Sequence, residues 1–203
     1  MGEIFRQISL YRFIMFCNKT NMDKVVLDCG AGGNCAPLSL FSEYGYVTHG
    51  IEFNTKQLEK ANEYANKKSQ SLNIELGDMR NLKFENETFS FVYSYNSVFH
   101  MTKSDVSKSI NEMKRVLKQN GLLFVNFLTT KDFRCGQGID IGGNQYEQIE
   151  DDISVIHSYF EECEPDRYFY GMEIIYKENR VFERIYEGEI IRQGLVEYIV
   201  KKI

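Results

Sequence analysis

The stretch Val25 to Phe41, VVLDCGAGGNCAPLSLF, constrains what this chain can fold into more than any other. Val25, Val26 and Leu27 predict a short buried strand with Asp28 at its C-terminal end. Gly30, Gly32 and Gly33 follow as a turn without side chains, where backbone can approach a ligand. Pro37 suits the first turn of a following helix, where a missing N–H costs little. Strand, glycine turn and helix together make the nucleoside-binding corner of a doubly wound α/β sheet. A dinucleotide fingerprint wants G-x-G-x-x-G, yet the sixth place counted from Gly30 is Cys35. Asp28, two residues before the first glycine, is a poor neighbour for a pyrophosphate and a good one for an ammonium group. The expected ligand therefore carries a cation, and no phosphate, at this point.

Two further acids follow strand signals. Tyr46 to Ile51 predicts the second strand, ending at Glu52, about 20 residues beyond the glycine turn, the spacing at which a strand-end carboxylate reaches a ribose. Phe53 is placed to cover an adenine face. His49 lies inside the strand pattern and reads as structural. Asn54 caps the next helix, with Gln57 at the capping-box place. A short third strand, Asn73 to Leu76, closes on Gly77-Asp78-Met79.

At Asp28, Gly30 and Gly32 the sequence resembles the class I S-adenosylmethionine-dependent methyltransferases, in their small-molecule, type 11/25-like group. Their first motif runs acid-x-Gly-x-Gly-x-Gly; here Asn34 stands at the last glycine, with Gly33 one place early. The resemblance covers roughly Lys24 to Leu128. It implies a Rossmann-like, doubly wound, mostly parallel sheet with helices on both faces. It also implies S-adenosylmethionine as cofactor. The implied cofactor residues are Asp28, Gly30, Ala31, Gly32, Glu52, Phe53, Asp78, Met79 and Tyr95. In the family the acid at Asp78 bonds the adenine amino group and its neighbour packs on the ring.

Thr88 to Tyr95 predicts a central strand beside the first. Its exit, Tyr95-Asn96-Ser97-Val98-Phe99-His100, corresponds to the family's fourth motif, where methyl group and acceptor meet. No Asn-Pro-Pro-Tyr signature of DNA-base methylation occurs. Thr102 or Ser104 caps a helix whose apolar stripe is Val106, Ile110, Met113 and Leu117. Gly121 is expected to end it in the left-handed conformation, and Leu122 to Leu128 to form a strand buried on both faces.

Lys131 to Glu150 is polar and rich in glycine, and reads as a flap over the acceptor. Ile153 to Phe160 reads as a strand or a short helix. Met172 to Tyr176, Arg180 to Tyr186 and Leu195 to Val200 suit an antiparallel meander, with turns at 177–179 and around 187–188. The whole is expected to be one domain: a helical segment over 1–23, a cofactor-binding core over 24–130, and flap and strands over 131–203.

Methyl transfer from a sulfonium is an in-line displacement, for which the protein supplies position and electrostatics. A base is needed only for a protonated acceptor; His100 and His157 are the candidates, with Tyr95 and Asn96 bounding the methyl path. The net charge of −5 and the absence of a basic block disfavour nucleic-acid partners. Five scattered cysteines without a C-x-x-C pair suggest no metal site, no disulfide framework and a reducing cytoplasm. Ile8 to Cys17 is too short to span a bilayer and is interrupted by Arg12. It reads as an amphipathic helix near the cofactor mouth, with Tyr11 a core residue or a ligand contact. No membrane association is expected. The expectation is thus methylation of a small molecule. The rivals are a non-catalytic protein that binds S-adenosylmethionine or its demethylated product, and a nicotinamide oxidoreductase.

Overall fold

The computed structural model describes residues 8–150 and 153–203. Its elements run α1 (Ile8–Cys17), β1 (Val25–Cys29), α2 (Leu38–Glu43), β2 (Val47–Glu52), α3 (Thr55–Lys67), β3 (Ile74–Leu76), β4 (Phe89–Ser94) and α4 (Lys103–Val116). They continue with β5 (Leu117–Thr129), β6 (Ile139–Asp140), β7 (Gln145–Glu150), β8 (Ile153–Phe160), a 3₁₀ turn (Glu164–Phe169), β9 (Met172–Tyr186) and β10 (Glu189–Lys202). Strands β3-β2-β1-β4-β5 lie side by side and all parallel. The order reverses between β1 and β4, which opens a crevice beyond the carboxyl ends of both strands. Asp28 stands in register with Gly50 of β2 and Tyr93 of β4.

Period-two alternation builds the two layers. Leu27, Val92 and Val125 face one way, against Val106, Ile110, Met113 and Val116 of α4. Val26, Phe91, Tyr93 and Phe124 face the other, against α1 and α2. There Phe41 stacks on Tyr93 at 4.8 Å, and Phe13 meets Phe124 at 5.7 Å. Truncating one of these rings to alanine removes about 3–5 kcal/mol by transfer and cavity costs. Glu197 of β10, 1 % exposed, fastens α1 to the sheet: it accepts from Ser9, Arg12 and Arg180. Tyr11 packs edge-on against Tyr44, away from the clefts described below. Among the described residues no helix is long and apolar enough to cross a membrane.

Four local expectations are corrected. The meander is a single hairpin, because β9 runs through 177–179 without a turn. Lys177 bonds Asp166 and Glu178 bonds Arg12, so tertiary ion pairs hold a turn-prone triplet extended. At the end of α4, Asn120 takes the left-handed conformation (φ 65°) instead of Gly121. Gly121 is needed for close approach: a Cβ there would lie 2.7 Å from the Ser90 carbonyl oxygen. The flap contains a hairpin, β6 with β7, turning through Gly142, Gly143 and Asn144, all at positive φ. Asn54 caps α3 by accepting from Lys56 and Gln57, but its own N–H donates to Glu52, not to Gln57.

Strand β8 sets the position of the C-terminal half. Leu128 pairs with Leu195 of β10 on one side and with Tyr159 of β8 on the other. β8 therefore takes over the side of β5 that β4 has left, and overhangs the carboxyl end of β4.

Candidate active site

Two clefts open along the carboxyl ends of the strands. The first, about 660 Å³, is lined by Gly30, Gly32, Glu52, Phe53, Asp78 and Met79, with Arg80 at its edge. The second, about 860 Å³, lies under β8, β9 and β10 and includes Tyr95 and His157. Asn96 and His100 line both.

The glycine turn is held by its neighbours. Gly30, at φ +100°, donates to the Ile51 carbonyl at 2.8 Å, and a Cβ there would lie 2.2 Å from Ser97 Oγ. Gly32 donates to Glu52 Oε2 at 2.9 Å while Asn54 N–H donates to Oε1 at 2.7 Å. The turn and the strand-end carboxylate are thus one unit. The Ala31 side chain lies wholly in the core and its N–H bonds Ile51, so it lines neither cleft. Phe53, 70 % exposed, offers an open ring face at the cleft rim.

Asp28 lies beneath this turn, 1 % exposed, with neither carboxylate oxygen hydrogen-bonded. Burial pushes its carboxyl well above the usual range and the charge of Glu52 adds to this; the nearby Tyr93 hydroxyl opposes it. Unlike Glu52 and Asp78, Asp28 lines neither cleft: it is a buried acid beneath the glycine turn, with the Tyr93 hydroxyl as its near neighbour.

Asp78 is engaged by Arg80, which the sequence reading missed. Arg80 Nη2 donates to Oδ2 at 2.7 Å, Nε to both oxygens, and the Arg80 N–H to Oδ1. These bonds hold the Asp78 carboxyl below the usual carboxylate range. Arg80 also bonds Asp105, and its guanidinium stands 5.9 Å from the Phe53 ring.

At the exit of β4, Asn96 adopts φ +55°. Asn126 of β5, wholly buried, fixes it: the Asn96 N–H donates to Asn126 Oδ1 at 2.7 Å, and Asn126 Nδ2 donates to Asn96 Oδ1 at 2.6 Å. Tyr95 leans on Phe124 at the wall of the second cleft. His100 is exposed within the clefts, 4.6 Å ring to ring from the buried His157 of β8. Burial lowers the pKa of both imidazoles; the charge of His157 lowers His100 further. The outer wall of the second cleft is one face of the β9–β10 ribbon. Arg180, Phe182 and Arg184 stand opposite Leu195, Gln193 and Ile191.

Residues 27–125 match the family described as "Methyltransferase domain". Over 131 residues the chain is 32 % identical to the sterol 24-C-methyltransferase of Candida albicans, covering 61 % of this chain and 34 % of that protein. Over 105 residues it is 26 % identical to the phosphoethanolamine N-methyltransferase of Plasmodium falciparum, covering 52 % and 39 %. The chain thus spans about a third of the length of the sterol enzymes it matches. Among solved structures, the PH0226 protein of Pyrococcus horikoshii superposes with TM-score 0.73 at 18 % identity, over 100 % of this chain and 94 % of that one. A SAM-dependent methyltransferase of Methanosarcina mazei gives 0.72 at 22 %, over 93 % and 97 %.

Proposed function

We propose that this chain belongs to the class I S-adenosylmethionine-dependent methyltransferase family and that it transfers a methyl group to a small-molecule acceptor, supported by the match of residues 27–125 to a methyltransferase domain. The observation that carries this reading is the meeting of two clefts at Asn96 and His100. One cleft has strand-end acids and glycines; the other has the size of a small-molecule site. A protein that only binds the cofactor has no use for the second cleft.

S-adenosylmethionine, when bound, supplies a methyl group on a sulfonium, open to in-line displacement. Glu52 would accept from its ribose hydroxyls and Asp78 from its adenine amine, while Gly30 and Gly32 would admit it closely; Asp28, which lines neither cleft, would act on its amino group from beneath the glycine turn. Phe53 and Met79 cover the purine. Arg80 must release part of Asp78 for this. Tyr95 and Asn96 bound the methyl path. His100 faces the acceptor and, being neutral at physiological pH, can take a proton; His157 backs it. Residues 24–130 serve the cofactor and 131–203 select the acceptor, within one domain. The relatives named for sterol and phosphoethanolamine methylation favour a small acceptor. A cytoplasmic location and the absence of nucleic-acid or membrane partners belong to the same reading.

Calorimetric titration with S-adenosylmethionine and with NAD, followed by a metabolite panel with methyl-labelled cofactor, tests it. Binding of S-adenosylmethionine and label transfer to one acceptor class are expected. NAD binding without S-adenosylmethionine binding overturns the reading.

A further inference from the structure

His100, Glu150 and His157 form a cluster whose two imidazoles, read above as a proton acceptor and its support, can ligate a cation instead. One ligand atom from each lies within 4.8 Å of the other two. His157 Nε2 stands 3.3 Å from Glu150 Oε1. His157 is 1 % exposed, and neither of its ring nitrogens has a hydrogen-bond partner. A buried imidazole that makes no well-directed hydrogen bond is costly unless something else occupies its nitrogens.

We propose that His100, Glu150 and His157 bind a divalent first-row transition cation at the junction of the two clefts. Two neutral imidazoles and one carboxylate suit zinc, cobalt, nickel or ferrous iron, and not magnesium or calcium, which prefer all-oxygen sets. Bond lengths of about 2.0–2.2 Å require donors about 3.3–3.6 Å apart in a tetrahedral site. Glu150 and His157 already meet that spacing. His100, exposed at the end of a loop, supplies the remaining movement by side-chain rotation. Three protein ligands leave a position open toward the second cleft. An acceptor hydroxyl or thiol bound there ionises more readily, its proton passing to solvent. This use of the cation rests on the methyltransferase reading; its binding does not.

Arg134 is the counterweight. In this structure its guanidinium bonds Glu150 Oε1, the same oxygen that faces His157. Arg134 holds the carboxylate when no cation is present and competes with one for it.

The test is titration of the full chain with Co²⁺, read by visible d–d absorption and by calorimetry, without cofactor. One equivalent should bind. His100→Gln, Glu150→Gln and His157→Gln should each weaken it by about 100-fold or more, beyond the effect of disturbing an outer partner. His100→Gln, an exposed position, keeps the test valid if the buried variant fails to fold. Arg134→Ala should tighten binding several-fold. Absence of binding, affinity unchanged in the ligand variants, or a thiolate-to-cobalt charge-transfer band marking cysteine ligation overturns the site. S-adenosylmethionine binding measured on the same samples separates the two ideas: cofactor without cobalt sinks the metal site, and cobalt without cofactor sinks the methyltransferase reading.

Discussion

Replacing Asp28 by Asn isolates the buried acid. The carboxyl is enclosed, unpartnered and pushed up in pKa by burial, so it carries its proton in the free protein more readily than an ordinary Asp. An amide of nearly equal volume therefore removes little from folding. The sign follows from linkage: a carboxyl with a raised folded pKa makes the native state bind more protons than the unfolded chain, so stability falls as pH rises above the unfolded value of about 3.9. The Asn variant escapes this, and its melting temperature should equal or exceed that of the wild type at pH 7, with the advantage shrinking toward pH 4. Cofactor binding should behave in the opposite way. Losing a charge-assisted hydrogen bond to an ammonium group costs about 1.5–3 kcal/mol, or about 10- to 150-fold in Kd. In the wild type, placing that cation beside Asp28 should drive its proton off. Calorimetry in two buffers of different ionisation enthalpy then gives different apparent enthalpies for the wild type and a smaller difference for Asp28→Asn. Unchanged affinity in the variant, or a melting temperature several degrees lower at pH 7, would refute the reasoning.

A methyl group at Gly32 would lie 2.5 Å from Glu52 Oε2; Gly32→Ala should weaken cofactor binding by about tenfold or more, roughly 1.4 kcal/mol, with the far-ultraviolet dichroism unchanged. In the cation-free protein, where His100 is the proton acceptor proposed above, desolvation depresses the pKa of His100 and His157, so kcat/KM should stay level down to about pH 6.5 and fall only below it, and His100→Gln should remove that limb along with about 10²–10⁴-fold of rate. The same depression means that the unfolded chain takes up protons first on acidification, so the two histidines cost stability as pH falls through about 6.5. Glu197→Gln removes the buried partner of Arg12 and Arg180, which are 22 % and 31 % exposed and keep Glu178 at 2.7 and 3.5 Å. Urea denaturation should show a loss of about 2–3 kcal/mol, less than for a fully buried pair because solvent screens both guanidinium groups.

The parallel half of the fold was legible because its signals are local. Val25–Leu27 with its glycine turn, the acid after β2 and the aromatic run of β4 each declare themselves within a few residues. That Glu52 and Asp78 line one cleft follows from strands that all end on the same side. What the sequence hid is held by contacts distant along the chain. Asn126 fixes Asn96, Glu150 faces His157, and Tyr93 stands over Asp28 from a neighbouring strand. Arg80 was nearer to hand: an acid and a base two residues apart after Gly77 is a short-range ion-pair signal. The 177–179 triplet misled for the opposite reason. Its polar residues suit a turn, yet Lys177 and Glu178 find partners, Asp166 and Arg12, on other elements.

The ribbon of β9 and β10 has one more consequence. Its residues touch the second cleft on alternate positions only, Arg180, Phe182 and Arg184 on one strand and Ile191, Gln193 and Leu195 on the other. Parity therefore governs how this wall can change. Adding residues in cross-strand pairs lengthens it and keeps the same lining, whereas a single residue inserted in one strand turns that strand's outward set toward the cleft, Val181 and Glu183 on β9 or Ile190 and Arg192 on β10. The glycine turn and its acids, on other strands, would not register the difference. A lineage could thus exchange one acceptor for another by a one-codon slip in the hairpin while its grip on the methyl donor stayed as it was.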